Sequence, residues 1–405
     1  MDVETLAWLR TPDGAAALAE ARAGLTGGAD DLAVATALRR RYEPQQAAAA
    51  LTQVQLRTRA VEKFGADAAR MWFTAEALEQ ATRGAVAAHR ATRLALAARA
   101  AGATWSLVDL GCGVGGDLVA AARAGLVVAG VDRDPVRVAC AAATLQDLAL
   151  PGAVTVADAE QVDVGRFDVA LCDPARRDGT GRTWSPDAWS PPWSFVQRLL
   201  TGTAVVKAAP GLPHDAVPDG VEAEFVSDGG SLKEAALWSG PLATCRRRAT
   251  VLGDHVPATL TDADDPGPEA VGTGPVGAFL LEPDDAVVRA GLVTALAAAA
   301  GGRLVDPHLA YVTAEAPVVS SLARSYRVRE EVPFREKALR AALRERGIGR
   351  LSIKKRGVQV TPEQLRPRLA LRGDAEATLV LARTPQGARA FLVDPVDPRH
   401  AVDAG

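Results

Sequence analysis

The residues best arranged for chemistry form the run Val108-Asp109-Leu110-Gly111-Cys112-Gly113-Val114-Gly115-Gly116-Asp117. A strand that ends in Asp109, a glycine turn, and a helix beginning near Asp117 would bring backbone close to a ligand with no side chain in the way. Gly111, Gly113 and Gly116 also satisfy a dinucleotide fingerprint, but Asp109 argues against a pyrophosphate, which it would repel. A carboxylate there suits the amino group of a methionine moiety. Asp132, about 20 residues on, ends a second apolar run and can bind both hydroxyls of a ribose. Asp158 follows a third run and is expected near an adenine amine. A fourth leads into Cys172-Asp173-Pro174-Ala175-Arg176-Arg177. Asp173 can orient or deprotonate an acceptor, Pro174 fixes the loop, and Arg176 and Arg177 can hold a phosphate or carboxylate. Trp184, Trp189 and Trp193 follow; seven Trp against three Tyr makes the cluster unusual. Stacking on a splayed base and packing under a loop are both open readings for them. Cys172 reads as an inert strand residue, and no role falls to any of the five histidines.

The elements that must position these groups follow from periodicity. Residues 1–100 show apolar spacing of three and four and read as helices. Short, wholly apolar runs then alternate with helical stretches: Leu107–Leu110, Val127–Val131, Val154–Val156, Val169–Cys172 and Ala204–Val206. Strands of that kind build a parallel sheet covered on both faces, an α/β Rossmann-like domain. Ala223–Ser227 and Ala249–Leu252 are expected as an antiparallel edge pair. The domain is expected to span 101–258, with a Pro/Gly-rich linker at 259–275, a connecting α/β segment at 276–320 holding a helix over Asp284–Ala300, and an α+β module at 321–400. That module reads as strand Tyr326–Glu331, helix Lys337–Glu345, strand Leu351–Lys355 and a final strand pair.

The chain has 405 residues and a net charge of −3. That balance hides 15 basic against 5 acidic residues between Ser321 and Arg372. A basic module on an acidic body suggests a polyanionic partner. Four scattered cysteines without CxxC spacing argue against disulfides or a zinc site, and no metal is expected. With no signal-peptide pattern and no long apolar run, the chain reads as cytoplasmic, without a membrane partner.

The order Asp109-x-Gly111-x-Gly113, Asp132, Asp158, Asp173-Pro174 resembles the class I S-adenosylmethionine (SAM)-dependent methyltransferases. DPARRD with SPPW downstream, KEAALW at 233–238 and FREKALRAALRERGIGRLSIKKRG at 334–357 are similar to bacterial members carrying a C-terminal THUMP-like domain. The resemblance runs from about Lys63 onward and implies SAM as cofactor and RNA modification, of tRNA or rRNA, as the activity. It assigns Asp109, Gly111, Gly113, Asp132, Asp158 and Asp173 to the donor pocket. If the substrate is RNA, Asp173, Pro174 and Arg176 are the catalytic candidates, and Arg177, Trp184 and the basic strip Lys354, Lys355 and Arg356 are the candidates for holding it. Trp72-Phe73-Thr74-Ala75-Glu76 is similar to a segment of cap guanine-N2 methyltransferases and implies Thr74 and Glu76 at the pocket. Amine methyltransferases carry a second proline and an aromatic where Ala175 and Arg176 stand. The arginine is closer to uracil-C5 enzymes, whose nucleophilic cysteine has no match in the context of Cys245. The target atom and the oligomeric state stay open. So do two rival functions: a methyltransferase acting on a small molecule or protein, and a non-enzymatic RNA-binding protein with a vestigial SAM fold.

Overall fold

The computed structural model describes residues 1–176, 189–253 and 256–396. The chain folds as two units, one of residues 1–221 and 236–244, the other of 222–235 and 245–405.

In the first unit, strands Ala204–Ala208, Val169–Cys172, Ser106–Leu110, Val127–Asp132 and Ala153–Val156 lie side by side in that order. All are parallel to their neighbours. This is the sheet expected from the five apolar runs. The chain order reverses between Ser106–Leu110 and Val169–Cys172, so a crevice opens beyond their carboxyl ends. Asp109 and Asp173 come from those two strands. Helices Gly116–Arg123 and Pro135–Asp147 follow the strands Ser106–Leu110 and Val127–Asp132 in the chain. Asp134 starts the latter by accepting from the backbone N–H groups of Val136 and Arg137 at 2.8 and 3.3 Å.

The helical region of the first 100 residues is present as expected. Its longest helix, Pro44–Phe64, holds the segment leading to the crevice. Gln53 donates to the Phe73 carbonyl at 2.6 Å and accepts its N–H at 3.3 Å. Arg57 donates to the Met71 carbonyl at 3.0 Å. The short helix Ala75–Gln80 is capped at its start by Thr74, whose hydroxyl accepts from Ala77 at 3.2 Å. Lys63 closes its end by donating to the carbonyls of Leu78, Glu79 and Ala81 at 2.7, 2.8 and 2.8 Å. A cation on those orphan carbonyls also complements the helix dipole.

In the second unit, Glu222–Asp228 and Arg247–Leu252 pair in parallel, where an antiparallel pair was expected. The reason is an even number of reversals. Gly229 and Gly230, at φ +58° and +74°, turn the chain into Ser231–Trp238, and residues 239–246 turn it back. Within the expected linker, Ala258–Thr261 pairs antiparallel with Arg247–Leu252, and Pro268–Val271 forms a helical turn. The helix expected over 284–300 is two, Asp285–Ala290 and Val293–Ala299, parted by Gly291 in the left-handed region at φ +68°.

A seven-stranded sheet follows, in the order Arg303–Leu304, Val312–Ala314, Phe279–Pro283, Ala323–Val332, Gly387–Pro395, Ala375–Thr384, Ile348–Arg356. Helices Glu336–Glu345 and Pro362–Leu369 cover one face, burying Leu339, Leu343, Leu365 and Leu369 among Leu351, Leu379, Leu381 and Leu392. Tyr311, Tyr326, Val380 and Phe391 pack on the other face. No helix among the described residues is long and apolar enough to cross a membrane. They also hold no group of three or more His, Cys, Asp or Glu fit for a metal.

Candidate active site

A cleft of about 820 Å³ opens at the carboxyl ends of the first unit's strands. Asp109, Gly111, Gly113, Asp132, Asp173 and Pro174 all line it, so six residues singled out from sequence converge. Its opposite wall brings Ala77, Gln80, Ala81 and Thr82, and Ser190 and Pro191 complete the rim.

The glycine turn is built by register. The N–H groups of Gly111 and Cys112 both donate to the Val131 carbonyl at 2.9 Å. Gly111 at φ +94° and Gly113 at φ +55° adopt backbone that other residues rarely take. A Cβ on Gly111 would also come within 3.6 Å of the Asp173 carbonyl. Gly113 donates its N–H to Asp132 at 3.0 Å, and Asp134 donates to the other oxygen at 2.9 Å. The Asp132 carboxylate is thereby fixed at the cleft edge.

Asp109 is 2% exposed, with its carboxyl at the cleft floor. Burial, with Asp117 and Asp173 adding to it, pushes this carboxyl well above the usual carboxylate range, against the pull of Lys207 and Arg90. A buried carboxylate short of positive charge is a ready receptor for a ligand ammonium. Asp117, largely but not fully buried, is held below its usual range: burial alone would raise it, and Arg90 and Lys207 overcome that. Both pair with it, Lys207 at 3.6 Å.

Lys207 is the charged cleft residue that sequence reasoning missed. It is 9% exposed and lines the cleft. Its ammonium donates to Asp173 and, at 2.5 Å, to Thr82. A lysine closing the apolar run Ala204-Val205-Val206 was the available signal. A strand buried on both faces can place such a charge only at its tip.

The other expected residues lie as follows. Thr74 caps the helix that supplies one wall but is not itself in the cleft lining, and Glu76 is exposed. Asp158 lies between two lining residues, Ala157 and Ala159; its carboxylate accepts from Arg133 at 2.7 Å and from the Glu160 N–H at 3.0 Å. Arg176 sits in a two-residue strand paired with Trp189. Arg177 and Trp184 lie outside the described residues. Trp189 is buried edge-on against Trp193, with ring centroids 5.0 Å apart, which is a packing role. Cys172 is buried and its thiol is pushed far up by burial, then by Asp173 and Asp109, so it is no nucleophile.

In the second unit, Lys354, Lys355 and Arg356 do not form one patch, because a strand alternates faces. Lys354 pairs with Glu282 at 3.2 Å, and Arg356 lies over the Tyr311 ring at 5.5 Å. Lys355, exposed, points to the helix-covered side and donates to the Val358 carbonyl at 3.4 Å. The Cys245 thiol is pushed up to about 12 by burial and Glu222, which removes it as a nucleophile.

A parallel sheet in this order, with a carboxylate and glycine turn ending one strand and an acid ending the next, defines a class I methyltransferase domain. Family comparison agrees. Residues 108–175 match a methyltransferase domain, 323–395 a THUMP domain-like family, and 2–60 a domain of unknown function. Over 346 residues, 82% of this chain and 91% of the relative, the chain is 35% identical to an uncharacterized S-adenosylmethionine-dependent methyltransferase of Mycobacterium tuberculosis, in two strains alike. A crystal structure from Porphyromonas gingivalis W83, assigned as a methyltransferase, shares the fold at a TM-score of 0.71 and 20% identity, over 87% of this chain and 91% of that one. The chain belongs to the bacterial SAM-dependent methyltransferases that carry a C-terminal THUMP-like domain.

Proposed function

We propose that this methyltransferase modifies a nucleotide of RNA, tRNA or rRNA, in the cytoplasm, with the THUMP-like module gripping the RNA backbone. The observation that carries the reading is the cationic surface of that module. Arg335, Lys337, Arg344 and Arg372 are exposed and make no ion pair among the described residues, and they sit on or beside its two helices. Charges without partners can exchange counterions for phosphates. Lys355 is on the same side of the sheet. Lys354 and Arg356 would reach a phosphate only by exchanging the partners they have.

For the donor pocket we propose Asp109 for the ammonium, Asp132 for the ribose, and the Gly111–Gly113 backbone as its floor. Asp158 with its neighbours would face the adenine, and Thr74 would act through the helix it caps. The chemistry of this donor set fits SAM: one buried carboxylate for an ammonium and one fixed carboxylate for ribose hydroxyls. When bound, SAM supplies a methyl group already activated on a sulfonium sulfur. The protein therefore needs mainly to align donor and acceptor. Asp173 would orient the acceptor, Pro174 would hold the loop, and Arg176 and Arg177 would take a phosphate, with Trp184 as a base-stacking partner. The functional division proposed is a helical region to residue 100, the SAM domain at 101–258, and the module at 321–400.

The test is tritium transfer from labelled SAM into RNA, protein and small-molecule fractions of a strain lacking the gene. Label in RNA is expected. Label confined to protein or small molecules would overturn the RNA reading.

A further inference from the structure

The company Asp173 keeps bears on which atom receives the methyl group. An exocyclic amine acceptor must give up both N–H groups to acceptors, so that its lone pair faces the methyl carbon. A site for it offers two oxygens, from side chain or backbone, and no cation close by. Here one carboxylate oxygen of Asp173, Oδ2, is already bound by the Lys207 ammonium. That ammonium is also held by Thr82 at 2.5 Å and lies 3.6 Å from Asp117, and it is almost wholly buried. A fixed cation beside the acceptor opposes an amine and favours an oxygen on which negative charge develops. Among the described residues no donor is bound to Asp173 Oδ1, so that oxygen can take the proton of a hydroxyl.

We propose that the methyl acceptor is a hydroxyl oxygen, with Asp173 taking its proton and Lys207 a positioning residue that fixes Asp173; on the RNA reading above, it is a ribose 2′-hydroxyl. In the step, a carbon–oxygen bond forms between acceptor and methyl group as the carbon–sulfur bond breaks. The electron pair of the broken bond stays on sulfur, giving a thioether, and the hydroxyl proton passes to Asp173. A carboxylate is base enough, because the hydroxyl becomes strongly acidic as its oxygen gains a second carbon. Lys207 reaches Asp173 from the tip of Ala204–Ala208, so sheet register sets the angle of the carboxylate. Asp117 and Arg90 set the lysine in turn.

The product of alkaline hydrolysis tests this. RNA from a strain lacking the gene is labelled with enzyme and tritiated SAM, then digested with alkali. A 2′-O-methyl group blocks cleavage of the adjoining phosphodiester, so label is expected in dinucleotides. Label in mononucleotides would place the methyl on a base and overturn the proposal while leaving RNA as substrate. If label enters another fraction, the RNA reading fails separately; a methyl ether in the product would then support the hydroxyl, and a methylamine, thioether or ester would overturn it.

The variants Lys207→Met and Lys207→Arg give an independent reading. Lys207→Met is expected to lower kcat about a hundredfold, at the low end of general-base effects. SAM affinity and KM should change far less than kcat. Lys207→Arg should recover at least a tenth of the wild-type kcat. Wild-type kcat in Lys207→Met would overturn the positioning role. So would a loss confined to SAM affinity and thermal stability, with no rescue by arginine.

Discussion

Replacing Asp109 by Asn removes one oxygen's charge and almost no volume from a fully buried position at the cleft floor. Two effects of opposite sign follow. The empty protein should gain stability above acidic pH, because burial and the neighbouring Asp117 and Asp173 disfavour the ionised carboxyl. The sign is fixed by linkage: the folded carboxyl holds its proton to higher pH than the unfolded one. Its ionisation cost is therefore absent at low pH and grows as pH rises from the unfolded value through the folded one. SAM binding should weaken. Breaking a buried pair by removing one partner costs about 3–5 kcal/mol. At about 1.4 kcal/mol per tenfold, that is a loss of roughly a hundred- to a few thousandfold in affinity. Titration calorimetry with SAM, beside thermal melts at pH 5 and pH 8, reads both. A melting point unchanged or raised at pH 8 with SAM binding lost is the expected result. A Kd within threefold of wild type would refute the assignment of the ammonium to Asp109, and lost binding in a protein that also melts early would refute the electrostatic argument.

Four further outcomes are expected. SAM binding should release a proton and weaken as pH falls through the range in which Asp109 takes up its proton, measured by calorimetry in buffers of different ionisation enthalpy. Gly130→Ala should destabilise the first unit by about 1–3 kcal/mol, because its Cβ would lie 2.6 Å from Leu118 and 3.0 Å from Cys112 in a packed layer; chemical denaturation measures it. Changing Arg335, Lys337 and Arg344 together to Glu should weaken RNA binding and flatten its salt dependence, whereas Lys354→Glu should act mainly by setting a like charge against Glu282 and lower the melting point. Cys245→Ala should retain methyl transfer, since a thiol pushed up to about 12 supplies no nucleophile at neutral pH; loss of transfer with the fold intact would count against this.

What was legible in the sequence was local. Asp109, Gly111, Gly113, Asp132 and Asp173 each stand beside a short apolar run, and a parallel sheet carries the tips of such runs to one edge. The charged partners were not legible, because they meet across long stretches of chain. Lys207 reaches back 34 residues to Asp173 and 125 to Thr82, and Arg90 reaches 27 to Asp117. The helix Pro362–Leu369 hid behind its internal Pro367 and polar sequence, although Thr361 and Gln364 form a capping box that announces it. Pairing direction in the second unit depended on how many turns intervene, which the apolar runs do not encode. The strip Lys354-Lys355-Arg356 looked continuous in sequence, and strand alternation divides it between two faces.

The most direct test of the account is a crystal structure with S-adenosylhomocysteine. The expected result places the ligand ammonium within hydrogen-bond distance of Asp109, the ribose hydroxyls on Asp132, and the sulfur facing the Asp173–Lys207 pair. A ligand seated elsewhere, or in the cleft with its ribose away from Asp132 and its sulfur away from Asp173, would contradict it.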